Sequence, residues 1–298
     1  MSAAKANFLH IEDLYKSYGP KRVLDNVDLS VGEGELCTLV GPSGCGKSTL
    51  LRQILGEEFP DAGRVTIEGA DVGHPDPRRG IVFQRYSSYP HLSVLDNVVL
   101  GRRLQCSPLA WLTRRRQLIE EAMEYLQRVR LAEHADKYPH QLSGGMQQRV
   151  AIAQALILRP RVLLMDEPFG ALDPDTREQM QLFLLELWER ERMTVFFVTH
   201  DLEEAVFLGT RILVLSQYYR DRRGEGAGVN RGAKIIADYQ LPRAASATDV
   251  KRDPVFAELV ERIRREGFDP TARRHVDEFN LRHPHSFRTL TAEEAGRN

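Results

Sequence analysis

The sequence has few cysteines, and they form no pattern. Cys37, Cys45 and Cys106 are the three among 298 residues, and none of them belongs to a C-x-x-C or Cys/His cluster. This spacing excludes a disulfide framework and a cysteine-based metal site. We expect the three thiols to act as small apolar fillers in a protein kept in a reducing compartment.

The sequence also lacks a long apolar run and a charge bias. No run reaches the roughly 18 residues needed to span a bilayer, and the N-terminus has no signal-peptide core. We therefore expect a cytoplasmic protein that reaches a membrane only through another chain. Lysine and arginine number 41 and aspartate and glutamate 42. Nucleic acid is not expected as the main partner, because proteins that neutralise phosphates usually carry an excess of basic residues.

What the sequence does contain is a glycine-rich segment typical of phosphate binding. An apolar run enters the segment and a helical pattern leaves it, which is the context such a loop requires. Glycines let backbone N–H groups converge on phosphate oxygens, and the start of the helix adds about half a positive charge. Lys47 is then the charge for the terminal phosphates, and Ser48 is the hydroxyl ligand for Mg²⁺. The segment consists of Gly41, Pro42, Ser43, Gly44, Cys45, Gly46, Lys47, Ser48 and Thr49.

Polar residues follow three further predicted strands. Asp166 and Glu167 end a fully apolar strand, where one carboxylate can hold the water shell of a metal and its neighbour can polarise an attacking water. The alternative is an exposed acidic pair at a strand end. His200 and Gln84 also end strands, which makes His200 a candidate contact for the γ-phosphate and Gln84 a candidate sensor of it. A structural histidine is the alternative for His200.

A second helix start is built from small residues. Ser143, Gly144 and Gly145 precede a predicted helix that Ser143 caps and that runs to Arg159, where Pro160 stops it. Such a start is a second anion site. Residues 93–130 also read as helical, with Leu104 on an apolar face, and strands alternate with helices elsewhere. The chain therefore reads as α/β with an inserted helical part.

Taken in order, these segments resemble the ATP-binding subunits of ABC transporters. The resemblance rests on the glycine-rich segment, Gln84, the Leu-Ser-Gly-Gly segment at 142–145, the Asp-Glu pair, Asp173 and His200, and it covers residues 8 to about 216. It implies an α/β P-loop NTPase of ABC type. That fold has a mixed core sheet flanked by helices, an N-terminal antiparallel β-subdomain and an inserted α-helical subdomain.

The resemblance also implies roles for single residues. Glu167 is the general base, His200, Lys47 and Gln84 complete the catalytic set, and Ser48, Gln84 and Asp166 hold Mg²⁺. Two copies pair head to tail around two ATP molecules, so the following residues face the nucleotide of the other copy or the seam between the copies: Ser143, Gly144, Gly145 and Asp173. Tyr18 matches the aromatic residue that stacks on adenine.

We expect an ATPase domain over residues 7–241, with its helical subdomain at about 85–160, and a C-terminal extension over 242–298. The polar end of that extension, from Arg273, is expected to pack loosely. The resemblance is greatest to nitrate, sulfonate and taurine importers. It implies that this chain lies at the cytoplasmic side of the cell membrane and binds a permease, with residues 86–93 gripping a short helix of that permease. It also implies an extracytoplasmic solute-binding protein in the same system. The alternatives are an exporter ATPase and a soluble ABC ATPase outside transport.

Overall fold

A computed structural model describes residues 8–84, 88–224, 230–241 and 254–289. These residues fall into two compact units, one within 1–75 and 192–298 (the first unit) and one within 76–191 (the second unit). In chain order the elements are β1 (Leu9–Tyr18), β2 (Lys21–Val31), β3 (Leu36–Val40), α1 (Lys47–Leu55), β4 (Ala62–Ile67), β5 (Ala70–Asp71), β6 (Arg79–Val82), α2 (Val94–Leu104), α3 (Pro108–Arg128), α4 (Gly144–Leu156), β7 (Val162–Asp166), α5 (Pro174–Glu191), β8 (Thr194–Val198), α6 (Leu202–Leu208), β9 (Arg211–Ser216), β10 (Tyr219–Arg220), β11 (Lys234–Gln240), α7 (Pro254–Phe268) and β12 (Arg274–His275).

The first unit contains an antiparallel sheet and a mixed sheet. In the antiparallel sheet β1 lies between β2 and β4, and the β1–β2 register places Leu9 opposite Val31. In the mixed sheet β3 pairs in parallel with β8 and β9, and β11 closes the edge antiparallel to β9. Every residue of β3, β8 and β9 is buried, as expected for strands covered on both faces.

The second unit combines one parallel strand pair with most of the long helices. Strand β6 pairs in parallel with β7, and the three helices α2, α3 and α4 lie between these strands in the sequence. Ser93 and Ser107 cap α2 and α3 by accepting the backbone N–H groups of Asp96 and Ala110. The expected fold class, a mixed sheet with an N-terminal antiparallel sheet and an inserted helical stretch, is therefore confirmed.

Several local expectations need correction. Helix α4 ends at Leu156 rather than at Arg159, since the residue before a proline is disfavoured in a helix. Arg159 itself takes a left-handed φ of 55°. Leu104 is 76% exposed, so the apolar face expected there is wrong. Helix α5 was not predicted. Residues 85–87 lie outside the described part, so the expected permease contact of Tyr86 and Ser87 lies outside it as well.

The C-terminal segment is the largest correction. Residues expected to pack loosely instead cross the first unit: Asn280 bridges to Ala237 of β11, and His283 is only 8% exposed. The Thr289 hydroxyl donates to Asp28 in β2 at 2.8 Å, and Phe287 stacks on His10. Polar residues can pack in this way because each finds a hydrogen-bond partner.

Among the described residues, no helix has the length and apolar character to cross a membrane.

Candidate functional site

The glycine-rich loop between β3 and α1 has a shape that only glycine permits at key points. Gly44 and Gly46 have φ values of 73° and 108°, in the left-handed region that side chains disfavour. A Cβ at Gly41 would lie 2.0 Å from the carbonyl oxygen of Leu215, and one at Gly46 would lie 2.8 Å from Cγ1 of Val23. The loop is therefore held tightly against its surroundings, with its backbone turned to the start of α1.

Lys47 places its charge inside this loop. The side chain is 7% exposed, and Nζ donates to the carbonyl oxygens of Gly41 at 2.8 Å and Pro42 at 3.1 Å. Helix α1 begins at Lys47, and its N-cap, Gly46, offers no side-chain hydrogen bond. A helix start without a side-chain cap leaves its first-turn N–H groups to a ligand or water. The loop fits phosphate oxygens because it presents N–H donors and a cation together.

The other residues of the loop divide into exposed and buried ones. Ser43, Gly44 and Ser48 are exposed, whereas Cys45 and Thr49 are buried. Burial raises the pKa of the Cys45 thiol, against the lowering effect of the Lys47 charge, so the thiol stays protonated and serves as an apolar filler. The exposed residues are two serines and a glycine, so the exposed side of the loop is polar and open.

Tyr18 ends β1 near the phosphate loop. Its ring is 44% exposed, its hydroxyl donates to the carboxylate of Glu58, and the side chain of Thr49 lies within hydrogen-bonding reach of it. The structure therefore brings Tyr18 to the last residue of the glycine-rich segment. A partly exposed tyrosine held there by its hydroxyl suits stacking on a purine ring.

His200 follows β8, as expected, and is exposed. The next residue, Asp201, caps α6 by accepting the N–H groups of Glu203 at 3.0 Å and Glu204 at 3.2 Å. His200 also lines a cavity of about 360 Å³ together with Arg264 and Phe268 of α7. No local pattern in the sequence predicts that the C-terminal extension reaches this histidine.

In the second unit, Asp166 ends β7 and Glu167 begins the loop after it. Both are half-buried. Glu167 has a φ of 46°, a backbone conformation that is uncommon for a residue with a side chain and that occurs often at functional sites. The N–H of Gly170 donates to the carbonyl oxygen of Glu167 at 3.2 Å, which closes a tight turn. The turn fixes the direction in which Glu167 leaves the strand.

Gln84 lies against that same turn. A Cβ at Gly170 would be 3.2 Å from Nε2 of Gln84, so the glutamine after β6 contacts the loop that follows Glu167. The structure thus brings two of the predicted site residues together in the second unit. Neither the glutamine alone nor its spacing in the sequence could have shown this contact.

Ser143, Gly144 and Gly145 form the start of α4. The Ser143 Oγ accepts the N–H of Met146 at 3.4 Å, and Ser143 is exposed whereas Gly145 is buried. A Cβ at Gly145 would lie 2.5 Å from Cγ2 of Thr176 in α5. The glycine is therefore needed for the close approach of the two helix starts.

Asp173 lies at the start of α5. Its Oδ1 accepts the N–H of Thr176 at 3.0 Å, and this bond holds the pKa of Asp173 below its ordinary value. Because Thr176 also contacts Gly145, the structure joins Asp173 to the Ser-Gly-Gly corner through one residue. Asp173 has a capping function whether or not it also faces a second copy.

Sequence reasoning missed Asn97, which organises the loop after Gln84. The side chain is 1% exposed. Its amide accepts the N–H of Tyr89 at 2.7 Å and donates to the carbonyl oxygens of Tyr89, Leu92 and Ser93. The Gln154 amide donates to Asn97 at 3.3 Å. Tyr89 itself is 50% exposed, so a buried asparagine holds an aromatic side chain at the surface. A single asparagine within a helical pattern carries no spacing signal.

The predicted magnesium residues supply a hydroxyl, a carboxylate and an amide oxygen, from Ser48, Asp166 and Gln84. Hard oxygen donors of this kind suit Mg²⁺, which usually keeps several waters and binds through one or two protein ligands plus phosphate oxygens. Within the described ranges no cluster of three or more His, Cys, Asp or Glu side chains could hold a metal without such a partner. The donor set fits a metal that arrives with a nucleotide.

Comparisons with known proteins agree with this geometry. The profile of the ABC transporter family matches residues 24–170. A taurine import ATP-binding protein of Chromobacterium violaceum is 46% identical over 246 residues, which is 80% of this chain and 87% of that relative. A nitrate import ATP-binding protein of Synechococcus elongatus is 40% identical over 264 residues, covering 87% and 91% of the two chains.

Solved structures give the same result. An ATP-binding cassette of an ABC transporter in its ADP conformation has a TM-score of 0.64 and 27% identity, over 85% of this chain and 97% of the other. A dimeric bacterial ABC transporter cassette has a TM-score of 0.63 and 31% identity, over 79% and 100%. The chain therefore belongs to the ABC transporter family as an ATP-binding protein, and it is an ATPase.

Proposed function

We propose that this ATPase powers the import of a small solute, by closing two copies of itself around two ATP molecules while bound to a separate permease. The observation that carries the proposal is the division of the site. The phosphate loop combines an uncapped helix start with the buried Lys47 cation, whereas the start of α4 is capped by the exposed Ser143. A corner of this sort suits the nucleotide of a second copy.

The import direction and the solute class are supported by the relatives. Those relatives are named as import proteins for taurine and nitrate, and a further one, from Synechococcus elongatus, as a bicarbonate transport protein at 40% identity over 257 residues. We infer a small nitrogen- or sulfur-containing solute, similar to nitrate, a sulfonate or taurine. The partners are then a transmembrane permease and an extracytoplasmic solute-binding protein, and the chain sits at the cytoplasmic side of the membrane. The ATPase domain spans residues 7–241, with its helical subdomain at about 85–160.

The residues take the following roles. The loop from Gly41 to Thr49 binds the phosphates, with Lys47 as the cation, and Tyr18 stacks on the base. Ser48, Asp166 and Gln84 hold Mg²⁺, which neutralises phosphate charge when bound. Glu167 accepts the proton of the attacking water, and His200 contacts the γ-phosphate. Ser143, Gly144, Gly145 and Asp173 face the other copy.

The permease contact is supported by the loop after Gln84. Asn97 holds Tyr89 at the surface, and the same loop begins at a residue that contacts the turn after Glu167. The loop is held at one end by Asn97 and contacts the turn after Glu167 at the other. A change at that turn when ATP binds or is hydrolysed could therefore move the loop and be transmitted to a partner bound to it. Residues 85–87 of this loop lie outside the described part of the chain.

The test is the Glu167→Gln variant. If Glu167 is the general base, ATP turnover falls by about a hundredfold to ten-thousandfold, while ATP affinity, measured with a fluorescent analogue, stays within about threefold of wild type. The matched control is Glu189→Gln in α5, an exposed glutamate in the same unit, which should retain turnover. Wild-type turnover in Glu167→Gln would remove the residue from its role. Uptake of labelled taurine or nitrate by vesicles holding the whole transporter would separate import from export.

A further inference from the structure

We propose that the C-terminal extension carries a binding site for a small dianion, between α7 and the segment that follows it. A cavity of about 360 Å³ lies there, within the first unit. Its wall includes four arginines and two glutamates: Arg262, Arg265, Arg274, Arg282, Glu266 and Glu278. A volume of this size is in the usual range of small-molecule sites.

The two glutamates of the wall are already engaged. Glu266 is 5% exposed, and its carboxylate accepts hydrogen bonds from the Tyr239 hydroxyl and the Arg274 guanidinium. The Glu278 carboxylate accepts the backbone N–H of His275 at 3.3 Å. These bonds fix the wall, because they tie α7 to β11 on one side and to β12 on the other. The acidic groups are thus structural parts of the cavity.

Among the residues that the structure describes, two of the arginines have no such partner. Arg262 pairs with Glu258 at 3.1 Å, one turn earlier in α7, and Arg274 pairs with Glu266. Arg265 and Arg282 make no ion pair with any residue in the described part of the chain. Four guanidinium groups around one cavity repel one another unless anions compensate them. Arg265 and Arg282, which are both exposed and have no ion-pair partner within 8–84, 88–224, 230–241 and 254–289, provide a charge that matches an anion carrying two negative charges.

Helix stabilisation accounts for only one of these arginines. Arg265 lies in the last turn of α7, where a cation interacts favourably with the helix dipole. Arg282 comes from the later segment and lines the same cavity, so the helix dipole gives no reason for its position. Guanidinium groups bind carboxylate, sulfate and phosphate oxygens through paired N–H donors, and the amide of Asn280 adds a further polar group. The shared chemistry is an oxyanion with two charges.

Helix α7 connects this cavity with the candidate nucleotide site. Arg264 and Phe268, from the same helix, line the other cavity beside His200. The helix packs closely on β9, because a Cβ at Gly267 would lie 2.4 Å from Cγ1 of Val214 and the Ser216 hydroxyl donates to the Gly267 carbonyl oxygen at 2.7 Å. An anion that draws Arg265 and Arg282 together would therefore act on the helix next to His200. This second step rests on the proposed role of His200, whereas anion binding does not.

The experiment is calorimetric titration of the full chain with sulfate, phosphate, malonate and succinate, in chloride buffer of matched ionic strength. ADP is present at saturation so that the phosphate loop is already filled. We expect saturable binding of one anion per chain, and a loss of affinity of roughly tenfold to a hundredfold in Arg265→Gln/Arg282→Gln. Comparing the tetrahedral anions with the dicarboxylates identifies the source of the charge.

The matched control is Arg114→Gln/Arg115→Gln, which removes two exposed arginines from α3 and should leave anion affinity unchanged. Thermal melting checks that both double variants are folded. Absence of saturable binding by all four anions would overturn the proposal, as would undiminished binding in Arg265→Gln/Arg282→Gln or an equal loss in the control. None of these results would affect the ATPase assignment, which is measured separately by turnover without added anion.

Discussion

The two glycine-containing helix starts of this protein, at α1 and at α4, are built for different tasks. Gly46 is the N-cap of α1 and has a left-handed φ and no side-chain hydrogen bond, and the side chain of Lys47, the first residue of α1, is buried against the loop. Ser143 is the N-cap of α4 and accepts a hydrogen bond with its own side chain, and Gly145 packs closely against Thr176. The first start keeps its donors for a ligand that it surrounds, whereas the second is closed by its own side chain and presents a corner. The difference supports the proposal that the first start binds phosphate by itself and that the second completes the site of another copy.

Lys47→Ala should break the first half of this comparison and have the largest effect. Removing Nζ takes away the only cation that the described structure places in the loop, so we expect turnover to fall by about a hundredfold or more and ATP affinity to fall with it. Equilibrium binding of a fluorescent ATP analogue measures the affinity. Lys21→Ala, an exposed lysine of the same unit, is the control and should bind normally. Unchanged affinity in Lys47→Ala would contradict the proposal that Lys47 is the cation of the phosphate-binding loop.

Ser143→Ala should sharpen the comparison with a smaller and different effect. The lost cap lowers the free energy of unfolding by about 1 kcal/mol, and turnover falls by roughly tenfold because a hydrogen bond to the nucleotide of the other copy is lost. ATP affinity of the isolated chain should not change. Ser107→Ala removes an equivalent cap from α3, so it should match the stability loss and keep full turnover. A weaker ATP affinity in Ser143→Ala would mean that the corner serves its own nucleotide.

A pH titration of stability should give the smallest effect and should involve neither helix start. His283 in the C-terminal segment is buried, and its Nδ1 accepts the backbone N–H of His285 at 3.1 Å. Burial, and after it the Arg211 guanidinium, lowers the pKa of His283, against the raising effects of Asp238 and Glu35. The unfolded chain therefore binds the proton more readily, near the ordinary pKa of about 6.5.

It follows that the contribution of His283 to stability is complete above about pH 6.5 and is lost as the pH falls below it. Thermal melting between pH 7.5 and 5 measures this slope, and His283→Gln should flatten it. An identical slope in His283→Gln and wild type would remove the histidine from the pH response.

The sequence predicted the parts of the fold that rest on local patterns. The glycine-rich loop, the apolar strand before Asp166 and the cap at Ser143 each have a signal within a few residues. The packing of residues 274–289 has no such signal, because it depends on distant partners such as Asp28 and Asp238. The same holds for Asn97 and for the contact of Gly145 with Thr176, in which a single residue matters only through its neighbours in space.

The exposed leucines show a further limit of pattern reading. Leu104, Leu109 and Leu112 are each at least 73% exposed, although a helical segment with spaced leucines predicts a buried face. The more distal part of α3 follows the pattern, with Leu118 and Leu126 buried. Hydrophobic spacing therefore identified a helical segment correctly but gave the wrong exposure for the leucines at the end of α2 and the start of α3.

The most direct test of the shared site is the mass of the Glu167→Gln variant in solution. Sedimentation with and without ATP and Mg²⁺ compares the two states, since a variant that binds ATP without turning it over keeps the closed form populated. If the start of α4 completes the nucleotide site of a second copy, the variant is a monomer without nucleotide and a dimer with ATP. Adding Ser143→Arg should then abolish the dimer. A monomer that has bound ATP fully at every protein concentration would contradict it.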